Sequence, residues 1–334
     1  MRVTFINVGY GDAALFQMPD GYTALLDSGG NLEEDFRQDP FRIRGVEYLR
    51  AQGISCLDAV ILSHIHEDHV CGLEAILKEV PVKRLYVPYP VEPFLEGRAL
   101  RPGPGALGSV PLYTQALNAY RRIICQVTAQ GVPIRTLGAG ESVLLTPGLQ
   151  MEVLGPKERN VRRYMDCLRR AYMPGQAQET VDACLSELDV SSNETSLLLR
   201  FESEGVVFLM AADNCPREWD EVPSFLLENV NVLKLPHHGQ IDSISEHYMQ
   251  NMPLAYVVTT SASDRRNNSA HPQVYQRLLD MRPPGEKPVF LFTDEREYFP
   301  YFSQTSGFQA VTLAVNSRKI SVEFIKIQKK EKYV

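Results

Sequence analysis

The sequence predicts a mixed α/β (α+β) protein, and three observations carry that prediction. Apolar runs of strand length alternate with helix-spaced stretches along all 334 residues. Residues able to bind metal recur where those runs end. The composition, 44% hydrophobic and 22% charged, supplies an ordinary globular core. No clear boundary, repeat or low-complexity tract interrupts the alternation, so 1–334 reads as a single domain.

The elements follow in order. Val3–Val8 and Ala13–Met18 are predicted strands joined by a turn at Gly9-Tyr10-Gly11-Asp12. Thr23–Leu26 is a third, ending at Asp27-Ser28-Gly29-Gly30. A helix over Gly45–Gln52 precedes the strand Asp58–Ser63, and a further helix runs from near Asp68 to about Glu79. Lys83–Val87 is a strand. Residues 91–111 carry Pro93, Pro102, Pro104 and Pro111 with Gly97, Gly103, Gly105 and Gly108, and read as an irregular loop or lid. Thr114–Gln130 reads as helix and 157–192 as a helical insertion. Strands are expected near Gln150–Leu154, Ser196–Phe201, Val206–Met210, Val230–Leu235, Ala255–Thr259, Val289–Phe292, Ala310–Val315 and Ile320–Ile327. A helix is expected at Pro272–Met281, and the Lys329–Lys332 tail reads as solvated.

Composition also narrows the function. No apolar run approaches the ~20 residues that span a bilayer, so no membrane partner is expected. The first residues enter a strand pattern at once, which predicts no signal peptide. The six cysteines show no CxxC pair and no regular spacing. They read as reduced thiols, and the expected location is cytoplasmic. Cys71 and Cys215 lie close to candidate metal residues and read either as ligands or as small buried hydrophobes. The net charge of −7 argues against a surface built broadly for nucleic acid. A local exception is 157–170, where Lys157, Arg159, Arg162, Arg163, Arg169 and Arg170 face only Glu158 and Asp166. Val161, Tyr164, Met165, Leu168 and Tyr172 fall at helical spacing there. The stretch is either a solvated helix face or a basic face that holds a phosphate backbone.

The sharpest signal is His64-Ile65-His66-Glu67-Asp68-His69, four of whose six residues can bind a transition metal. It follows a predicted strand, so its nitrogens and carboxylate can converge on one point. Further candidates also sit at strand ends. Asp213 ends an apolar run, where a carboxylate is costly unless paired or metal-bound. His237-His238 follows Val232–Pro236, Asp27 follows Leu26, and His271 follows a polar loop. Six of the seven histidines belong to such loops.

Taken together, these pieces resemble the metallo-β-lactamase superfamily, a four-layer αββα sandwich. More narrowly they resemble its ComEC-like branch, the soluble hydrolase domain of DNA-uptake competence proteins. The resemblance rests on Phe5–Ala13, Leu26–Gly29, His64–His69, Asn193–Leu199, Leu209–Asp213, Lys234–Gly239 and Ala270–Pro272, in family order. It implies two divalent ions, zinc or manganese. His64 and His66 would hold the first; Asp68, His69 and His238 the second; Asp213 would bridge. Asp27 would orient the histidine loop, and His237 stays open as the alternative to His238. Asp68 would orient the attacking water, and His271 would face the substrate. Many superfamily members have a further histidine where this chain has Ser192-Asn193-Glu194. Asn193 could contribute an amide oxygen instead, shifting the expectation toward manganese. The implied activity is a phosphodiesterase or nuclease, with nucleic acid as partner and Arg162, Arg163, Arg169 and Arg170 as weak substrate-binding candidates. The alternative is hydrolysis of a small-molecule ester, thioester, lactone or cyclic nucleotide. Lacking membrane helices, the chain reads as a free-standing enzyme.

Overall fold

Why metal-capable residues sit at strand ends becomes clear from how the strands are ordered. The computed structural model describes residues 1–106, 108–283, 285–304 and 306–327, so the Lys329–Lys332 tail lies outside the described residues. Eight strands form one sheet, in the order Lys319–Ile325, Ala310–Asn316, Arg2–Ile6, Ala14–Gln17, Thr23–Leu26, Ala59–Ile61, Leu85–Val87, Ile134–Thr136. Seven form a second, in the order Val289–Phe292, Tyr256–Thr259, Val232–Lys234, Val206–Met210, Leu198–Ser203, Leu149–Gly155, Ser142–Thr146. In each sheet one half is parallel: Thr23–Leu26 through Ile134–Thr136 in the first, Val206–Met210 through Val289–Phe292 in the second. Loops leaving the carboxyl ends of these parallel strands carry Asp27, the His64–His69 motif, Asp213 and His237-His238.

Side-chain alternation builds the layers. Ala24 and Leu26 face the core shared with the second sheet, beside Phe5, Phe16, Phe201 and Phe208. Leu25 and Val60 face the other way, onto Val46 and Leu49, Leu73 and Ile76, and Tyr120 and Ile123 from three helices. Both faces of these strands are therefore buried, as parallel strands require. Each fully buried Leu or Val contributes roughly 1.5–3 kcal/mol, so a polar residue at Leu25 would undo a helix–sheet contact. Helix Pro272–Asp280 covers the far face of the second sheet through Val274, Tyr275 and Leu278. The result is helix, sheet, sheet, helix, the expected αββα order.

Several expectations need correction. The helix expected from Asp68 to Glu79 is two, Glu67–Val70 and Leu73–Glu79. A Cβ on Gly72 would lie 2.2 Å from the Ser28 carbonyl oxygen, so the Asp27–Gly29 turn packs where a continuous helix would run. The 91–111 segment is not wholly irregular. It holds a helix, Glu92–Glu96, and the start of the long helix Val110–Ala129. Pro93 and Pro111 sit in first turns, where proline is tolerated. Helix Glu33–Gln38 and the strands Ile134–Thr136 and Ser142–Thr146 carried too little apolar pattern to be expected. The insertion is a helix pair, Glu158–Tyr172 and Gln178–Ser192, packed through Tyr164, Leu168, Leu185 and Leu188. The six cysteines are unpaired. Among the described residues no helix is long and apolar enough to cross a membrane.

Candidate metal centre

Asp27 organises the site from beneath. It is fully buried in a left-handed conformation (φ 55°) that carboxylate and amide residues tolerate best. Its Oδ1 accepts the Ser63 N–H at 2.8 Å and its Oδ2 the Ser63 hydroxyl at 2.6 Å. The His69 Nδ1 lies 2.9 Å from Oδ2. A proton on Nδ1 therefore points at Asp27 and leaves Nε2 free to face the cavity. His238 is fixed the same way, its Nδ1 2.7 Å from the Thr260 carbonyl oxygen.

Four ligand-type atoms then converge. The His69 Nε2 is 3.5 Å from Asp68 Oδ2 and 3.4 Å from Asp213 Oδ1. The His238 Nε2 is 3.0 Å from Asp68 Oδ2 and 3.4 Å from Asp213 Oδ1. His69 Nε2, His238 Nε2 and Asp213 Oδ1 are buried with no hydrogen-bond partner among the described residues. Unpaired buried polar atoms cost free energy unless something satisfies them. A tetrahedral ion with bonds of ~2.0–2.1 Å separates its ligand atoms by roughly 3.3–3.4 Å. The four histidine–carboxylate separations, 3.0 to 3.5 Å, are of that size.

A second group adjoins it. His64 Nε2 is 3.0 Å from His66 Nδ1 and 3.7 Å from Asp213 Oδ2. Asp213 thus presents one oxygen to each group. Burial, then the neighbouring His69, push His64 well below the usual histidine range, so its ring is neutral and has a lone pair to offer. In the first cage the balance differs. Burial opposes a proton on His69 and His238, yet Asp213 and Asp68 outweigh it and push both well above the usual range. Burial likewise opposes charge on Asp68, but His69 and His238 hold its carboxyl well below the carboxylate range. The carboxylates demand positive charge here, which protons or a divalent ion can supply.

These strands and loops match known proteins. Residues 6–133 match the model of the Metallo-beta-lactamase superfamily. This is a metallo-β-lactamase fold. The chain is 28% identical over 288 residues to ComE operon protein 3 of Bacillus subtilis (strain 168). That match covers 83% of this chain, which spans 30% of that protein's length. Similar solved structures include an isothiocyanate hydrolase from Delia radicum gut bacteria (TM-score 0.47, 18% identity, 87% of this chain and 96% of that one). Another is a diphosphatase from the PhnP family (TM-score 0.42, 15% identity, 88% and 95%).

Within this metallo-β-lactamase fold the adjacent histidines separate. His238 joins the cage; His237 does not. The His237 Nδ1 lies 3.1 Å from Asp242 and 3.9 Å from the Cys215 sulfur, while the Gln240 and Asn193 amides sit 2.9 and 3.2 Å from Nε2. Both of its nitrogens are engaged. Asn193 turns its amide toward His237 and leaves its own Oδ1 buried and unpartnered beside the cavity. Burial pushes the Cys215 and Cys71 thiols well up, so both behave as small buried groups.

Two expectations about the substrate side are corrected. His271 is not among the residues lining the cavity. It caps helix Pro272–Asp280, its Nδ1 accepting the Gln273 N–H at 3.3 Å. The arginines of the insertion do not form a free basic face. Arg162 pairs with Glu158, Arg163 with Glu194, Arg169 with Asp166 and Arg170 with Glu187. Glu187 and Glu194 come from beyond the basic run, so sequence-local charge counting missed them.

Other site residues escaped the sequence reading. Lys234 is buried, donates to the Ala212 carbonyl at 2.9 Å and pairs with Asp12, which also accepts the Thr260 hydroxyl. A lone lysine inside a strand between leucines was the available signal. Tyr10 lays its ring 4.3 Å from the His238 ring. Gly11 lets the same turn pack against the metal motif, since a Cβ there would lie 2.4 Å from the Asp68 carbonyl oxygen. The cavity itself is about 380 Å³, walled by Tyr10, Asp189, Asn193, Gln240, Arg266 and Asn267 around His66, Asp68 and Asp213.

Proposed function

We propose that this protein is a metal-dependent hydrolase with a dinuclear centre that cleaves phosphodiesters in nucleic acid. The observation that carries the metal reading is the set of unpartnered buried atoms His69 Nε2, His238 Nε2 and Asp213 Oδ1 around one point. Asp68, His69, His238 and Asp213 would hold one ion; His64, His66 and the other Asp213 oxygen would hold the second. When bound, two divalent ions lower the pKa of water and polarise the electrophile. Asp68, ionised at neutral pH, orients the attacking water and accepts its hydrogen bond. Tyr10, Gln240 and Asn267 line the same cavity and would donate to non-bridging phosphoryl oxygens, while Arg266 beside them is already paired with Asp35 and Asp264. Manganese suits the second pocket better than zinc, because Asn193 offers oxygen where a further imidazole would be softer.

The phosphodiester assignment is supported by the ComEC-like motif set and the similarity to ComE operon protein 3. A small-molecule ester, thioester, lactone or cyclic nucleotide is the second reading. It is favoured by the modest cavity and by the pairing of the insertion arginines. Labelled single- and double-stranded DNA and RNA, with manganese or zinc and an Asp68→Ala control, decide between them. Metal-dependent cleavage lost in the control supports the nuclease. Metal uptake without cleavage of any nucleic acid overturns it in favour of the small-molecule reading.

A further inference from the structure

Three of the four candidate metal-binding histidines are braced by groups near the sheets. The Ser63 hydroxyl sits 3.0 Å from His64 Nδ1, Asp27 braces His69, and the Thr260 carbonyl braces His238. His66 differs. Its Nδ1 faces His64, so its far nitrogen, Nε2, points away from the candidate metal. What that nitrogen meets is Asp189 Oδ1 at 3.3 Å. Asp189 lies on helix Gln178–Ser192 of the insertion, and it is buried.

Asp189 is itself held in place. Its other oxygen accepts the Ser109 hydroxyl at 2.5 Å, at the mouth of helix Val110–Ala129. Two to three helical turns further back, Asp182 accepts the Gly103 N–H at 2.9 Å and the Gln178 amide reaches the Arg101 carbonyl at 3.0 Å. The proline- and glycine-rich segment and the insertion are thus stitched into one wall, and Asp189 is its point of contact with the histidine motif. His66 also turns its ring edge toward Tyr113 on the same wall, at 5.9 Å between centroids.

We propose that Asp189 is the positioning residue of the His64–His66 metal group, and that through it the insertion sets how tightly that group holds its ion. This rests on the dinuclear reading above. A carboxylate facing Nε2 favours the tautomer with its proton there, which leaves the Nδ1 lone pair for metal and raises its basicity. Asp189 thereby offsets the histidine this group lacks. The other cage, braced entirely from the sheets, does not depend on it.

The test is titration of the chelator-stripped full chain with manganese alone, following free and bound ion by electron paramagnetic resonance. Wild type takes up two equivalents and shows the signal of a spin-coupled pair. Asp189→Ala weakens one equivalent by about 10–100-fold, leaves the other unchanged and replaces the coupled signal with an isolated one. Asp189→Asn, whose amide oxygen can still accept the Nε2 proton, falls between; it carries the test if the alanine variant does not fold. Ser109→Ala, which loosens the wall but keeps the carboxylate, shifts the weak equivalent less than Asp189→Ala does. Unchanged uptake in both Asp189 variants, or equal loss of both equivalents, overturns the proposal while leaving the dinuclear reading intact. Fewer than two equivalents in wild type instead overturns the dinuclear reading, and this proposal with it.

Discussion

Asp27→Asn tests the site with the smallest change in shape. Asparagine matches aspartate in size and tolerates the left-handed backbone at this position (φ 55°), so strain is not introduced. Its carbonyl oxygen can keep the Ser63 N–H bond of 2.8 Å. Its NH₂ must then face the Ser63 hydroxyl and the His69 Nδ1, now 2.6 and 2.9 Å from Oδ2. Ser63 adapts, because a hydroxyl can accept as readily as donate. His69 cannot adapt without cost. To accept at Nδ1 it must carry its proton on Nε2, the atom 3.4 Å from Asp213 Oδ1 and 3.5 Å from Asp68 Oδ2. That proton occupies the position a metal needs. Losing such an orienting partner typically weakens metal binding about 10–100-fold, roughly 1.4–2.8 kcal/mol. Competition against a chromophoric chelator measures the affinity, and thermal melting of the stripped protein reports the fold. The expected outcome is one equivalent weakened by that factor, with a stripped-protein melting temperature near wild type. Wild-type affinity for both ions in a folded Asp27→Asn protein would show that the His69 tautomer is not set by Asp27.

The remaining predictions concern charge. Lys234→Met leaves Asp12 buried without its partner, which costs about 3–5 kcal/mol. With roughly 2 cal/mol/K of unfolding entropy per residue, that lowers the melting temperature by about 4–7 °C, and adding Asp12→Asn recovers much of the loss. The stripped protein should lose stability as pH rises from 7 to 9. His69 and His238 are raised above their unfolded value near ~6.5, so their contribution is complete below that pH and disappears as pH climbs through the folded values. The slope is about 1.4 kcal/mol per pH unit per histidine, and Glu67, pushed up to about 7 by burial, acts in the same direction only below that point. Manganese-loaded protein should not show the decline; parallel melting profiles with and without metal would refute the assignment. Replacing Arg162, Arg169 and Arg170 together with alanine should leave cleavage within a few-fold of wild type in gel assays, because each is exposed and paired with a neighbouring carboxylate. A large loss, with a steep change in salt dependence, would restore the insertion as a phosphate-binding face.

How much of this was legible depended on whether the cause was local. Val206–Met210 and Val289–Phe292 could be read to the residue, because an apolar run bounded by polar turns is a local pattern. The clustering of His64, His66, Asp68, His69 and Asp213 was legible for a related reason: strand ends in a parallel half-sheet all point to one edge. The choice between His237 and His238 was not. Both take left-handed backbone (φ 48° and 52°), and only the Thr260 carbonyl on one side and Asp242 on the other sort them. His271 at the start of a helix was equally consistent with facing substrate or capping, and the Gln273 N–H decides for the cap. Asp189 gave no sign of its place, since an acidic residue on an amphipathic helix ordinarily faces water. The arginines misled because two of the four acids that neutralise them, Glu187 and Glu194, arrive from a second helix and from the turn after it.

The two metal groups differ in how they are built, and the difference bears on where substrate enters. The His69–His238 cage has both of its histidines braced by buried partners and closed off from solvent. The other group opens outward, with His66 19% exposed and the unpartnered Asn193 oxygen beside it on the cavity wall. A rigid cage suits an ion that stays; an open one, braced by a helix pair rather than by the sheets, suits an ion that exchanges or moves with substrate. The same asymmetry places a wall made by the insertion and the long helix, with Ser109, Tyr113, Asp189 and Val190, beside the open group. Variation in that wall can therefore alter both the loading of the second ion and the shape of the substrate it meets, without touching the residues that hold the first.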